Sequence, residues 1–402
     1  MKKITKLILL LIVTIGCLSS CKKADPLIDN TEYGVECEAQ NKYLLINSTG
    51  FQEVGKAFIG TAGMVGRYLR LYDLDSKVSS VLCSDPSCTH DSNNCSAYLN
   101  SGQVSYYDNK IYYISNDSGN YSGDWILWKE DITGNNKTKV KAISLEDVIF
   151  KYQPQQIVLH HGKVYLRGIA STVDGAKPEY RISLLSARID DNSDYQVLVD
   201  KTISSGVSTS WRFVGDYVYF MIKEISQDNN DVKITIMRFS TVDGKEETVY
   251  VESGITDKVA DFWVTVNEVI LLAGINENDH PCLWKLSNDK RETVVLWEGI
   301  KSEIPIIMED IAVVSYYVDE TRYIYIKDFD NDSVYSGPLF VNRAEGVDKD
   351  LGTQGYGFAV VGGDKDKVII NLIGLINERK IYTILFDLKN DMKSTVLWTD
   401  GN

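Results

Sequence analysis

"VGDYVYFM", Val214–Met221, sets a Gly-Asp pair directly before a run of β-branched and aromatic residues. Gly and Asp are what a tight turn selects, because they accept a backbone conformation that most side chains resist. The residues behind them are those that fill strands. Six other stretches repeat the arrangement: "EVGKAFIG" at 53–60, "YDNKIYYI" at 107–114, "HHGKVYLR" at 160–167, "TVNEVILL" at 265–272, "MEDIAVVS" at 308–315 and "DKDKVIIN" at 364–371. The turn residues Gly55, Asn109, Gly162, Asp216, Asn267, Asp310 and Asp366 stand 43 to 56 residues apart. Seven loosely equal periods constitute an internal repeat.

A second hairpin follows the first within each period. "TIMRFSTVDGKEETVYV" (235–251) and "CLWKLSNDKRETVVLW" (282–297) show its form: an alternating apolar strand, an Asp/Asn/Gly-rich turn and a second strand. Each unit is therefore a meander of four strands, A to D, with almost no helical pattern between them. Such a meander cannot bury both of its faces alone. Packing seven copies around an axis buries them and leaves only short edges, which predicts an all-β fold, a β-propeller of seven four-stranded blades. Six or eight blades, a long β-sandwich or two smaller β-domains are the competing architectures. The outer hairpins with their Tyr-Asp turns resemble divergent TolB-like and YWTD-like propellers, although the Tyr-Trp-Thr-Asp signature itself is missing. Lys42 to Asn47 ("KYLLIN") reads as one further strand, which either clasps the ring or forms strand A of the first blade.

The chain begins "MKKITKLILLLIVTIGCLSSCKK". Lys2, Lys3 and Lys6 precede an aliphatic run from Leu7 to Ile15, too short to span a bilayer and suited to a secretory signal. Leu18-Ser19-Ser20-Cys21 behind it resembles the lipobox of bacterial lipoproteins; Cys17 fits that pattern less well, with Thr14 at the aliphatic position. The resemblance implies cleavage before Cys21 and lipidation of Cys21, with the acyl chains holding the protein on the membrane. The expected organisation is a signal peptide over 1–20, a tether over 21–40 and the propeller over 41–402, exported and facing outside the cytoplasm.

Charge narrows the partners. The 402 residues carry a formal charge of −14, and loss of residues 1–20 removes three more lysines. Such a surface repels phosphate backbones, which excludes nucleic acid.

"LCSDPSCTHDSNNC", Leu82–Cys95, concentrates three of seven cysteines and one of four histidines. In the repeat register it occupies the connection from strand D of the first unit to strand A of the second, on the face of the B–C loops. A connection this long needs something to order it. Cys83, Cys88, His90 and Cys95 make a complete tetrahedral zinc set. Export equally favours disulfides, drawn from Cys37, Cys83, Cys88 and Cys95, with an odd thiol left over once Cys282 is counted. Haem attachment fails on spacing, and Cys88 beside His90 lacks the third group a nucleophile needs. The Cys-x4-Cys-x-His-x4-Cys run also resembles one carried by clostridial-type propeller lipoproteins of unknown function; that resemblance supports the placement and implies no activity.

Other motifs read as structure. His160 and His161 fall on an A–B turn. "DFDNDS" (328–333) lacks the Gly and Glu of a calcium loop and sits at a C–D turn. His280 and Cys282 lie in the fifth unit, Cys282 as a packed strand residue. Tyr121, Trp125 and Trp211 are candidates for stacking on sugars. The Gly-x-Ser-x-Gly and His-Glu-x-x-His motifs are missing, and no catalytic residue is assigned. The expected role is a non-catalytic cell-envelope module that binds or scaffolds protein or glycan. A glycan-active hydrolase or lyase, and a TolB-like assembly partner, are the alternatives.

Overall fold

A computed structural model describes most of residues 51–400; residues 1–50, 401–402 and several short stretches, the longest 144–155 and 340–355, fall outside the described residues. Cys21, Cys37, the Lys42–Asn47 strand and Tyr121 are therefore not among them. What is described is all-β, without helix, and forms the expected seven-bladed propeller.

Blade 1 contains β1 (Phe51–Val54), β2 (Ala57–Ala62), β3 (Arg67–Asp73) and β4 (Val78–Val81), with a two-residue strand β5 (Tyr98–Leu99) also on β3. Blade 2 contains β6 (Val104–Tyr107), β7 (Lys110–Asn116), β8 (Trp125–Asp131) and β9 (Thr138–Ile143). Five more meanders follow: β10 to β13 (Gln156–Ile203), β14 to β17 (Val207–Ile255), β18 to β21 (Lys258–Leu296), β22 to β25 (Ile306–Pro338) and β26 to β29 (Tyr356–Asp400). In every blade the strands pair in chain order and antiparallel, so local turns determine the pairing.

Left-handed backbone marks several of these turns, at Gly55, Asn109 and Gly162 themselves and elsewhere at a residue beside the named one. Gly55, Asp108, Asn109, His161, Gly162, Gly215 and Glu309 all have φ between 43° and 67°. That is the left-handed region a two-residue hairpin uses.

The opening stretch shows how the blades pack. Val218, Phe220 and Ile222 point into the core shared with the preceding blade, and Tyr219 and Met221 into that shared with the next. β7 behaves alike: Ile111 and Tyr113 face blade 1, Tyr112 and Ile114 face the third blade. Side chains alternate with period two, yet both faces are buried, so the strand reads as continuously apolar. Seven hydrophobic clusters result, one in each seam.

Blades 1 and 7 close the ring by packing, each from its own contiguous strands. Phe51 and Phe58 meet Trp398 and Leu397 in that seam, with Phe51 and Trp398 ring centroids 5.6 Å apart. Lys367 Nζ reaches Glu53 Oε1 at 2.9 Å across it. The seam between the fourth and fifth blades also holds a buried ion pair. Arg212 on β14 donates to Asp261 Oδ2 on β18 at 3.2 Å and lies 4.9 Å from the centroid of the Trp263 ring.

Candidate metal centre

The structure revises the placement of the cysteine run. β4 covers β3 over Arg70–Asp73, and β5 resumes the same edge opposite Arg67 and Tyr68. Leu69 lies between the two. The Leu82 amide donates to the Leu69 carbonyl, and the Leu69 amide donates to the Ala97 carbonyl, both at 2.9 Å. The cysteine run is thus an insertion that leaves the outer strand at its midpoint and returns to the same residue. The sequence register, which saw a D–A connection on the B–C loop face, missed β5 because two residues give no periodic signal. The insertion lies on the outer flank of the ring, where Cys83, Cys88 and Cys95 share a core cluster with Tyr113, Trp128 and Ile132 of blade 2.

Local chemistry shapes the insertion. The Asp85 carboxylate accepts from the Ser87 amide at 2.8 Å and from its hydroxyl at 2.7 Å, and the Cys88 amide donates to the Asp85 carbonyl at 3.2 Å. This Asx turn bends the chain after Cys83. His90 takes φ 54°, the left-handed conformation that turns the chain back. The outcome is convergence: one ligand atom from each of Cys83, Cys88, His90 and Cys95 lies within 4.8 Å of all the others. His90 Nδ1 is 3.4 Å from Cys95 Sγ, so Nδ1 is the nitrogen facing the thiols. Among the described residues this is the one His/Cys/Asp/Glu group so arranged.

The donors can hold a metal ion. Tetrahedral zinc, with bonds of about 2.3 Å to sulfur and about 2.0 Å to nitrogen, places its ligand atoms roughly 3.5–4 Å apart. The observed spacing needs only a small contraction. Burial opposes ionisation of Cys83, yet hydrogen bonds with the Ser96 hydroxyl, 3.3 Å from its sulfur, and with Asp85, Cys95 and Cys88 together outweigh it, and the thiol is lowered to about 7. Burial pushes the Cys95 thiol up. Beside them Glu130 is 1% exposed; burial raises its carboxyl to about 7, against the opposing pull of Lys137 and the Tyr113 hydroxyl bond. In this structure Cys83, Cys88, Cys95 and Cys282 are free thiols.

The remaining candidates resolve into structure. Trp125 and Trp211 are 1% and 0% exposed, and Trp211 stacks on Phe220 at 4.6 Å, which removes both as sugar platforms. Each belongs to a strand whose two faces are covered. His160 and His161 do fall on the hairpin turn of the third blade and stack at 4.2 Å. His280 Nδ1 meets the Ile300 carbonyl at 3.0 Å, while the Cys282 thiol, wholly buried, contacts the Gly274 carbonyl. Neither approaches the insertion. What the sequence reading missed is Lys137, whose Nζ donates to the Ser96 carbonyl at 3.1 Å. Nothing in the linear spacing connects residues 41 positions apart.

No protein-family model and no curated protein matches this chain. Solved structures share its fold. An acylaminoacyl peptidase of Pyrococcus horikoshii superposes with TM-score 0.50 at 12% identity over 86% of this chain, which spans only 50% of the peptidase. The polysaccharide lyase Uly1 gives 0.49 at 10% identity, covering 86% and 91% of the two chains. A protein from Lactobacillus plantarum gives 0.44 at 12%, covering 86% and 96%. At 12% identity the likeness to the peptidase bears on the fold alone and says nothing about activity.

Proposed function

We propose that this protein is an exported lipoprotein, anchored through acyl chains on Cys21, whose propeller acts as a non-catalytic module binding or scaffolding protein or glycan in the cell envelope. The export half of the reading comes from the signal-like N-terminus and the Leu-Ser-Ser-Cys motif. The non-catalytic half is carried by one observation: the only convergent ligand group among the described residues supplies four protein donors. A catalytic zinc site keeps one coordination position open for water or substrate, whereas four protein ligands close it. We therefore assign Cys83, Cys88, His90 and Cys95 to structural zinc, which braces the insertion against blade 2.

The test expresses the full chain with its native N-terminus in a bacterial host, beside Cys21→Ser. The wild type is expected in the membrane fraction and the variant in the soluble exported fraction. Membrane extracts of the wild type are then applied to arrays of envelope glycans and proteins. Retention without release of reducing ends supports the binding role. Turnover of any arrayed polysaccharide, or a soluble wild-type protein, overturns the corresponding half.

A further inference from the structure

Ser96 faces two ways. Its hydroxyl donates to Cys83 Sγ at 3.3 Å, and its carbonyl accepts from Lys137 Nζ at 3.1 Å. Lys137 belongs to the turn between β8 and β9, so a single residue of blade 1 links a ligand thiol to a cation of blade 2. The ammonium also lies 5.0 Å from the Trp128 ring centroid and 5.3 Å from that of Tyr113, a geometry that favours a retained positive charge. The same turn presses its backbone onto the base of the insertion: a Cβ on Gly134 would stand 2.8 Å from the Leu82 carbonyl oxygen.

Charge gives this contact a purpose. A divalent ion held by three thiolates and a neutral imidazole carries one net negative charge, in a seam that already buries Glu130. An uncompensated charge there is costly.

We propose that Lys137 is part of the metal site, a positioning residue that holds Ser96 in place and offsets the negative charge of the thiolate centre, so that metal binding and docking of blade 1 on blade 2 are coupled. This rests on the metal reading above. Packing on Trp128 and Tyr113 alone would give Lys137 a role in stability and none in metal affinity, and this difference can be measured.

The full chain, reduced and solubilised in detergent, is titrated with Zn(II) against a chromophoric chelator. Lys137→Met keeps the aliphatic stem and removes the charge; Lys137→Arg keeps charge and donor. Groups in this outer position change metal affinity by about 10–100-fold, so Lys137→Met is expected to weaken zinc about tenfold or more, with Lys137→Arg within about threefold of wild type. Hydrogen exchange at the Leu69 amide, which donates to Ala97, is expected to quicken in the wild type on chelation and to be already fast in zinc-free Lys137→Met. A folded Lys137→Met that binds zinc within about twofold of wild type overturns the inference and leaves the metal reading intact. Should that variant not fold, Lys137→Gln, which also removes the charge, takes its place, and an affinity within about twofold of wild type there overturns the inference equally. A wild type that takes up no zinc instead sinks the metal reading, and the inference with it.

Discussion

His160 shows how a residue that looks chemical becomes structural. It is 1% exposed, with its imidazole stacked on His161. Burial, with the neighbouring His161 charge adding to it, lowers its pKa to about 3. Because the folded value lies below the ordinary 6.5, the unfolded chain takes up this proton first. The stability His160 confers is thus complete above about pH 6.5 and is lost as pH falls towards 3. Urea unfolding of wild type and His160→Gln from pH 7 to pH 5 is expected to show the wild type losing about 1.4 kcal/mol more per pH unit below 6.5. Parallel curves would show that the imidazole protonates without hindrance in the folded state. The sequence located His160 and His161 correctly on a turn, since Gly162 behind them marks it. The depth of burial was not legible, because it depends on the adjacent blade.

Among the elements, β2 illustrates what closing a ring demands. A Cβ on Gly60 would lie 2.8 Å from the Trp398 ring and 3.1 Å from Phe51. The glycine is there because β29 of the last blade brings an indole against the first. Gly60→Ala is expected to cost about 1–3 kcal/mol by overpacking, and combining it with Trp398→Leu should recover part of that loss. Thermal melts of the four-member cycle check this; strictly additive effects would show that the two residues do not meet. The hairpins were legible in the sequence because each carries its own turn and period. Partners such as Gly60 and Trp398 were not, since 338 positions of chain separate them. β5 was invisible for the opposite reason. It is too short to have a pattern, and finding it turned an apparent connection into an insertion within one strand.

For the molecule as a whole, seven blades follow from the impossibility of hiding both faces of a four-stranded meander. Alternate residues of β15, Tyr217–Ile225, enter two different seams, and every blade repeats the solution. Closure needs no strand exchanged between the ends of the described chain, since β1 to β4 and β26 to β29 are each contiguous. Among the described residues the insertion is the one departure from the repeat, and it gathers three thiols and an imidazole at the flank of a single seam. The sequence named those four residues, but left zinc and disulfides open; the structure adds that one ligand atom from each lies within 4.8 Å of the others, as holding a metal ion requires. The most direct test is elemental analysis of the reduced, tag-free protein after mild purification without chelators. One equivalent of zinc, absent from a protein carrying Cys83→Ser and Cys95→Ser, is the predicted result. Less than about a tenth of an equivalent of any metal would contradict it, since a four-ligand thiolate site binds zinc too tightly to emerge empty.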